Sequence, residues 1–291
     1  MKPLRHALDA TREEFASARA GRVSIYVDES GSGIPLLLVH SINAAPSAYE
    51  MKPLFEHYRG KRPVFALDMP GFGHSERGDR DYTAALYTDV LNELLGKRIG
   101  APADVVALSL SSEFAAAAAL AQPEQVRSLV LLSPTGLGHR APPGETAQRN
   151  TGRFLRTPLL SEALFQLITS KRSIRYFLGL NFHGEPPAEM VDYAYATSHQ
   201  PEARFAPFTF LSFSLFTRDA HAELYGRVEA PALVVYDEDP NISFERLPEL
   251  LQEKPNWRAE RVQPTLGLPH WEKLDETVDA MERFWSEAET P

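Results

Sequence analysis

Residues 103–121 read Ala-Asp-Val-Val-Ala-Leu-Ser-Leu-Ser-Ser-Glu-Phe-Ala-Ala-Ala-Ala-Ala-Leu-Ala, and Ser109 is the first residue in the chain positioned for chemistry. Val105 and Val106 suit a buried strand, and the alanine-rich run after the serine suits a helix. Ser109 stands at the join, with Ala107 two residues before it and Ser111 two after. A sharp strand-to-helix turn lifts the central side chain off the sheet and aims the first helical N–H groups at whatever binds beside it. Small neighbours let the two backbones approach. A serine so placed is either a nucleophile toward a carbonyl or a helix cap, for which serine is well suited. These residues alone support both.

The absence of cysteine excludes a thiol nucleophile, a disulfide scaffold and a Cys-ligated metal, and it suits a reducing compartment. The net charge of −9 comes without a basic stripe, which argues against nucleic acid as the main partner. The N-terminal residues lack the apolar core of a signal peptide, and no apolar run approaches the roughly 18 residues needed to cross a bilayer. A cytoplasmic protein with neither membrane nor nucleic acid as partner is expected. At 291 residues and 43% hydrophobic content, the chain is large enough for one α/β domain with an inserted segment.

Residues 3–20 space Leu4, Leu8, Phe15 and Ala16 as an amphipathic helix would. Residues 22–29 alternate Val23, Ile25 and Val27 against polar neighbours, as a strand does. Residues 34–40 form a continuous apolar run typical of a strand buried on both faces. Residues 64–68 and 128–133 repeat the buried-strand pattern, and 82–95 is a helix. Strands alternating with helices across short Gly and Pro turns predict a mostly parallel sheet covered on both sides. From about 136 to 227 no strand pattern appears. Helical stretches over 159–169, 171–180, 187–198 and 203–216 follow one another there, rich in phenylalanine and tyrosine. The core resumes with a strand over 230–236, a helix over 242–252, a strand over 257–262 and a closing helix over 275–285.

Several motifs in this order resemble the α/β-hydrolase family. Asp68-Met69-Pro70-Gly71-Phe72-Gly73-His74-Ser75 matches its Asp-x-Pro-Gly-x-Gly-x-Ser loop at every defined position. Ala107-Leu108-Ser109-Leu110-Ser111 is similar to its Gly-x-Ser-x-Gly nucleophile elbow, with both glycines replaced. His40-Ser41-Ile42-Asn43 stands where the family carries His-Gly and an oxyanion loop. The resemblance implies a doubly wound, mostly parallel α/β core with an inserted helical cap. Its parts would be an N-terminal helix at 1–21, a core at 22–136 and 228–291, and a cap at 137–227. It implies Ser109 as nucleophile, with the backbone N–H groups of Ile42 and Leu110 as oxyanion donors. His40 and His74 are expected to be structural. The triad acid follows the 230–236 strand, where anchoring on Asp-Pro picks Asp239; the family's glycine is missing from this turn, which keeps Asp237 as alternate.

The base is read from two anchors that disagree. The family's histidine stands about five residues before an acidic residue that opens the last helix. Counting from Asp275 gives His270; counting from Glu272 gives Gly267. His183, in the cap, is the alternate base. With His270 as base the resemblance implies a serine hydrolase cleaving an ester, thioester or related acyl bond of a small apolar or aromatic substrate, with no cofactor and no metal. Carbon–carbon bond hydrolysis is an allowed variant. Dehalogenase and epoxide hydrolase chemistry is disfavoured, because both want Asp where Ser109 stands. An incomplete triad would instead leave a lyase- or cyclase-type enzyme, or a ligand-binding protein, on the same fold.

Overall fold

A computed structural model describes residues 3–157 and 160–288. Its eight strands are β1 (Thr11–Ser17), β2 (Gly21–Asp28), β3 (Leu36–Val39), β4 (Val64–Asp68), β5 (Ala103–Leu108), β6 (Val126–Leu132), β7 (Ala232–Tyr236) and β8 (Trp257–Arg261). They form one sheet in the order β1-β2-β4-β3-β5-β6-β7-β8. The β1–β2 and β2–β4 pairs are antiparallel; every other pair is parallel. The apolar runs have their reason in two layers. Leu37, Val39, Val105, Ala107, Leu129 and Val234 face one core, whereas Leu36, Leu38, Val106, Leu108, Val130 and Val235 face the other. Helices α1 (Lys52–Tyr58), α2 (Ala84–Glu93) and α3 (Ser111–Ala121) alternate with the strands, and α3 leaves the C-terminal end of β5.

Between β6 and β7 the chain adds α4 (Glu145–Leu155), α5 (Leu160–Ile168), α6 (Lys171–Gly179), α7 (Ala188–Ser198), α8 (Phe205–Leu211) and α9 (Ala220–Glu223). This is the helical stretch expected between the same two strands. α4 is an addition to it, α8 is shorter than 203–216, and residue 159 lies outside the described residues. α10 (Leu247–Glu253), α11 (Pro269–Glu272) and α12 (Leu274–Ala288) complete the core.

The expected N-terminal helix is corrected. Of that span, residues 1–2 lie outside the described residues, and Thr11–Ser17 is a strand in register with β2 from Thr11↔Val27 to Ser17↔Gly21. Glu13, Glu14 and Ala16 carry helical propensity, but β2 would otherwise leave a ladder of N–H and C=O groups unpaired, and that pairing prevails. Ala7 and Leu8 are buried from a bent, irregular segment, where the Ala7 N–H donates to the Tyr26 hydroxyl at 2.9 Å.

The Asp68–Ser75 loop positions the strand ends. Fully buried Asp68 accepts the Ala48 N–H at 2.9 Å and the His74 N–H at 2.8 Å, and the Ser75 hydroxyl donates to the Asp68 carbonyl. Gly73, at φ 52, lies against the Asp68 carboxylate, where any Cβ would collide. Gly73→Ala is therefore expected to cost about 2–3 kcal/mol, from strain and from displacing a buried carboxylate. Urea denaturation of the variant measures it.

Candidate active site

Ser109 occupies the join of β5 and α3 with φ 54, a left-handed conformation that costs a non-glycine residue about 1–2 kcal/mol. Its N–H donates to Leu132 O at 2.9 Å, and its own carbonyl accepts the Ser112 N–H at 3.1 Å. The backbone is thus fixed from β6 and from α3. The half-buried hydroxyl makes no hydrogen bond to the described residues. Ser111, which replaces the family's second glycine, donates through its hydroxyl to His40 O at 2.6 Å. That bond ties the elbow to the segment after β3, whose Val39 pairs with Ala107 of β5.

This second segment is held from several sides. Buried His40 donates through Nδ1 to Ser41 O at 2.6 Å and accepts the Met69 N–H on Nε2 at 2.9 Å; burial lowers its pKa. Both ring nitrogens are committed, in keeping with a structural residue. The carboxylate of Glu50, also buried, accepts the Ser41 N–H at 2.9 Å and the Asn43 side-chain amide at 2.9 Å. Asn43 in turn accepts the Ala45 N–H at 2.8 Å. Ile42 lies inside this bracket. Among the described residues, neither the Ile42 N–H nor the Leu110 N–H is spent on an acceptor.

The two acids behave differently. Asp237 is buried, takes Arg261 Nε at 2.6 Å on one oxygen and the Thr265 N–H at 2.9 Å on the other, and so has both oxygens engaged. Asp239 accepts the Asn241 and Ile242 N–H groups at 2.7 and 2.9 Å, both on Oδ1. Its Oδ2 receives no donor among the described residues, and burial raises its pKa. That oxygen faces Gly267: a Cβ built there would lie 2.8 Å from Asp239 Oδ2 and 2.5 Å from Asn181 Oδ1.

His270 lies elsewhere. It is completely buried in α11 and donates through Nε2 to Glu50 O at 2.7 Å, beside Trp271, whose Nε1 donates to the same carbonyl at 2.6 Å. Its Nδ1 has no partner, and burial pulls its pKa down to about 4. No hydrogen bond joins His270 to Ser109 or Asp239, so the expected three-residue relay is not assembled. The physical reason is register. The loop brings residue 267 to the acid, three positions earlier, and Pro269 starts a helical turn that carries 270 under Glu50. His183 is exposed, and its N–H donates to Glu272 Oε1 at 2.7 Å while Leu266 N–H binds Glu272 Oε2 at 2.6 Å. Glu272 thereby clamps the 181–183 segment to the loop that carries Gly267.

Sequence reasoning missed Glu50, Asn181 and Glu113. Glu113 is buried in α3, accepts the Thr217 N–H at 2.8 Å and the Thr135 hydroxyl, and has its pKa raised by burial. An acid just ahead of five alanines was its available signal; Asn181 and the Glu50 carbonyl act across long sequence separations and had none.

One trio among the described residues, His221, Glu249 and Glu253, brings potential metal-ligand atoms within 4.8 Å of one another. Arg246 Nη2 donates to His221 Nδ1 at 2.8 Å, which places the imidazole proton on Nε2, the nitrogen nearer Glu253. A ring in that tautomer has no lone pair to offer a metal from that side, and the arginine adds positive charge. The trio reads as a polar cluster gathered around Arg246, which pairs with Glu249 at 3.4 Å.

The profile described as the alpha/beta hydrolase family matches residues 36–280. A 2-hydroxymuconate semialdehyde hydrolase of Pseudomonas sp. strain CF600 is 32% identical over 120 residues, covering 40% of this chain and 42% of that protein. A 2-(acetamidomethylene)succinate hydrolase of Mesorhizobium japonicum is 30% identical over 128 residues, covering 43% and 45%. The matched segment thus spans less than half the length of either relative. Among solved structures, a serine hydrolase involved in carbazole degradation superposes with a TM-score of 0.75 at 18% identity, covering 95% of this chain and 99% of that one. At that identity the likeness concerns the fold.

Proposed function

Because the chain belongs to the α/β-hydrolase family, we propose that it is a hydrolase in which Ser109 attacks a carbonyl carbon while the Ile42 and Leu110 N–H groups hold the developing oxyanion. The bond cut is a carbon–carbon or amide bond in a small carbonyl compound of the kind for which the two relatives are named. Esters and thioesters serve as activated surrogates. The observation that carries this reading is the strained Ser109, φ 54, with the unspent Leu110 N–H next in the chain and the unspent Ile42 N–H on the segment that Ser111 ties to the elbow.

The proton acceptor in this reading is Asp239 rather than His270. Its free oxygen faces Gly267, and burial moves its pKa toward the working range of a general base. Solvent carries the serine proton to it, Asp239 returns that proton to the leaving carbon or nitrogen, and a water then hydrolyses the acyl-serine. A carboxylate acting through water is a poorer base than a positioned imidazole, so turnover is slow.

A second reading is favoured by the close approach of Asn181 to Gly267: a ligand-binding or lyase-type protein that keeps the fold without the relay. A fluorophosphonate separates the two. The hydrolase reading expects slow stoichiometric labelling that is lost in Ser109→Ala and weakened in Asp239→Asn. Its rate should rise with pH through a carboxyl pKa above the ordinary value, with no step contributed by His270. A folded protein that resists labelling and hydrolyses no p-nitrophenyl ester would establish the second reading.

A further inference from the structure

Every strongly exposed large apolar side chain among the described residues belongs to the helical insertion: Phe154, Leu160, Leu167, Tyr176, Phe177 and Phe213. Leu167 is 68% exposed and Tyr176 63%, so these side chains project rather than line a recess. They sit on three consecutive helices, α4, α5 and α6, each in contact with the next, and on the turn after α8. Gly152 of α4 lies against Ser212, which places Phe213 next to α4. Phe213 has φ 63, an uncommon conformation for a bulky residue, and keeps 46% of its surface in solvent. Tyr176 and Phe177 pair edge to face at 5.3 Å.

Charge singles out the same region. Residues 140–180 hold seven Arg and Lys against two Glu, in a chain whose net charge is −9. Among the described residues, the exposed Arg149, Arg153, Arg172 and Arg175 make no side-chain hydrogen bond or close ion pair, with Arg175 standing within electrostatic reach of Asp192. Lys171 pairs with Asp192 at 2.7 Å and Arg156 with Asp79 at 3.6 Å, which leaves the arginines of α4 and α6 as the local excess of positive charge beside the aromatic and leucine side chains.

We propose that this face of the insertion docks on an anionic phospholipid surface, with the Phe, Tyr and Leu side chains entering the headgroup layer and the arginines meeting lipid phosphates. Helices of this kind lie in the interface plane and gain from both buried apolar area and attraction to anionic lipid. No helix is long and apolar enough to span a membrane, and surface docking requires none. A recessed groove would suit a protein segment better; projecting side chains on a basic field suit a bilayer.

Vesicle co-sedimentation of the full chain tests this. Binding is expected to vesicles containing phosphatidylglycerol, to fall steeply with added salt, and to be weak on pure phosphatidylcholine. Arg172→Glu with Arg175→Glu should lower the partition coefficient about tenfold or more. Tyr176→Ser with Phe177→Ser should lower it similarly while circular dichroism stays that of the parent. Failure of the folded parent to bind anionic vesicles overturns the proposal. So does binding that ignores lipid charge and both variants. A concentration-dependent dimer in light scattering, abolished by Tyr176→Ser with Phe177→Ser and unaccompanied by vesicle binding, would assign the face to a second copy instead.

Discussion

Gly267→His combined with Asn181→Ala is expected to raise the rate of Ser109 phosphonylation and of p-nitrophenyl ester hydrolysis by about two to four orders of magnitude, the contribution of a positioned general base. The expectation rests on one juxtaposition. Asp239 Oδ2 lies 2.8 Å from where a Cβ on Gly267 would stand, closer than a real Cβ allows, so a histidine there requires the carboxylate to swing aside, from where it can meet the ring. The Asn181 amide oxygen, 2.5 Å from the same point, is the nearer of the two obstacles, and it is the end of a side chain that alanine removes. Gly267 has no left-handed backbone to disfavour the new residue. The introduced imidazole should also bring a pH dependence centred near the histidine reference value of about 6.5. Asp239→Asn in the same background should cancel most of the gain, because members of a relay act as a unit. A folded double variant with parental rates at every pH would mean that residue 267 does not face Ser109, and the assignment of Asp239 would fall with it.

What the sequence makes legible here is whatever local backbone sterics enforce. The Asp68–Ser75 loop can be read because Gly73 must lie against the Asp68 carboxylate, and only glycine permits it. Ser109 can be read because a strand that turns sharply into a helix requires small residues on either side. β1 is misread because Glu and Ala report local propensity, whereas pairing with β2 is decided by a neighbour that propensity does not describe. His270 is misread for a different reason. Counting back from an acidic landmark assumes a fixed loop length, and both Glu272 and Asp275 offer themselves. Only the contact of Gly267 with Asp239 in space separates the two counts. Glu50 shows the limit most clearly. Its carboxylate bonds nearby Ser41 and Asn43, yet the His270 and Trp271 donors to its carbonyl come from 220 and 221 residues away.

His270→Asn is expected to cost about 2–3 kcal/mol of stability at neutral pH while changing the phosphonylation rate of the folded protein by less than about tenfold. The ring is fully buried, and one of its nitrogens holds Glu50 O, so its removal loosens the backbone from which the Ser41–Asn43 segment is suspended. The pH dependence distinguishes this structural role from a relay role. Burial depresses the pKa of His270 from 6.5 to about 4, so between those values the unfolded chain binds a proton that the folded chain refuses. The stability held by the neutral ring is complete above the unfolded pKa and drains as pH falls toward the folded one, by about 3 kcal/mol in all. His40, also depressed by burial, drains stability in the same direction, so the parent's profile alone mixes the two. The difference between parent and His270→Asn isolates one ring: it should be widest near pH 7 and should close as pH approaches 4. Urea denaturation at several pH values measures that difference, and phosphonylation at pH 7.5 measures the chemistry. A parallel pair of stability curves, together with a hundredfold slower phosphonylation of the folded variant, would return His270 to the role of base.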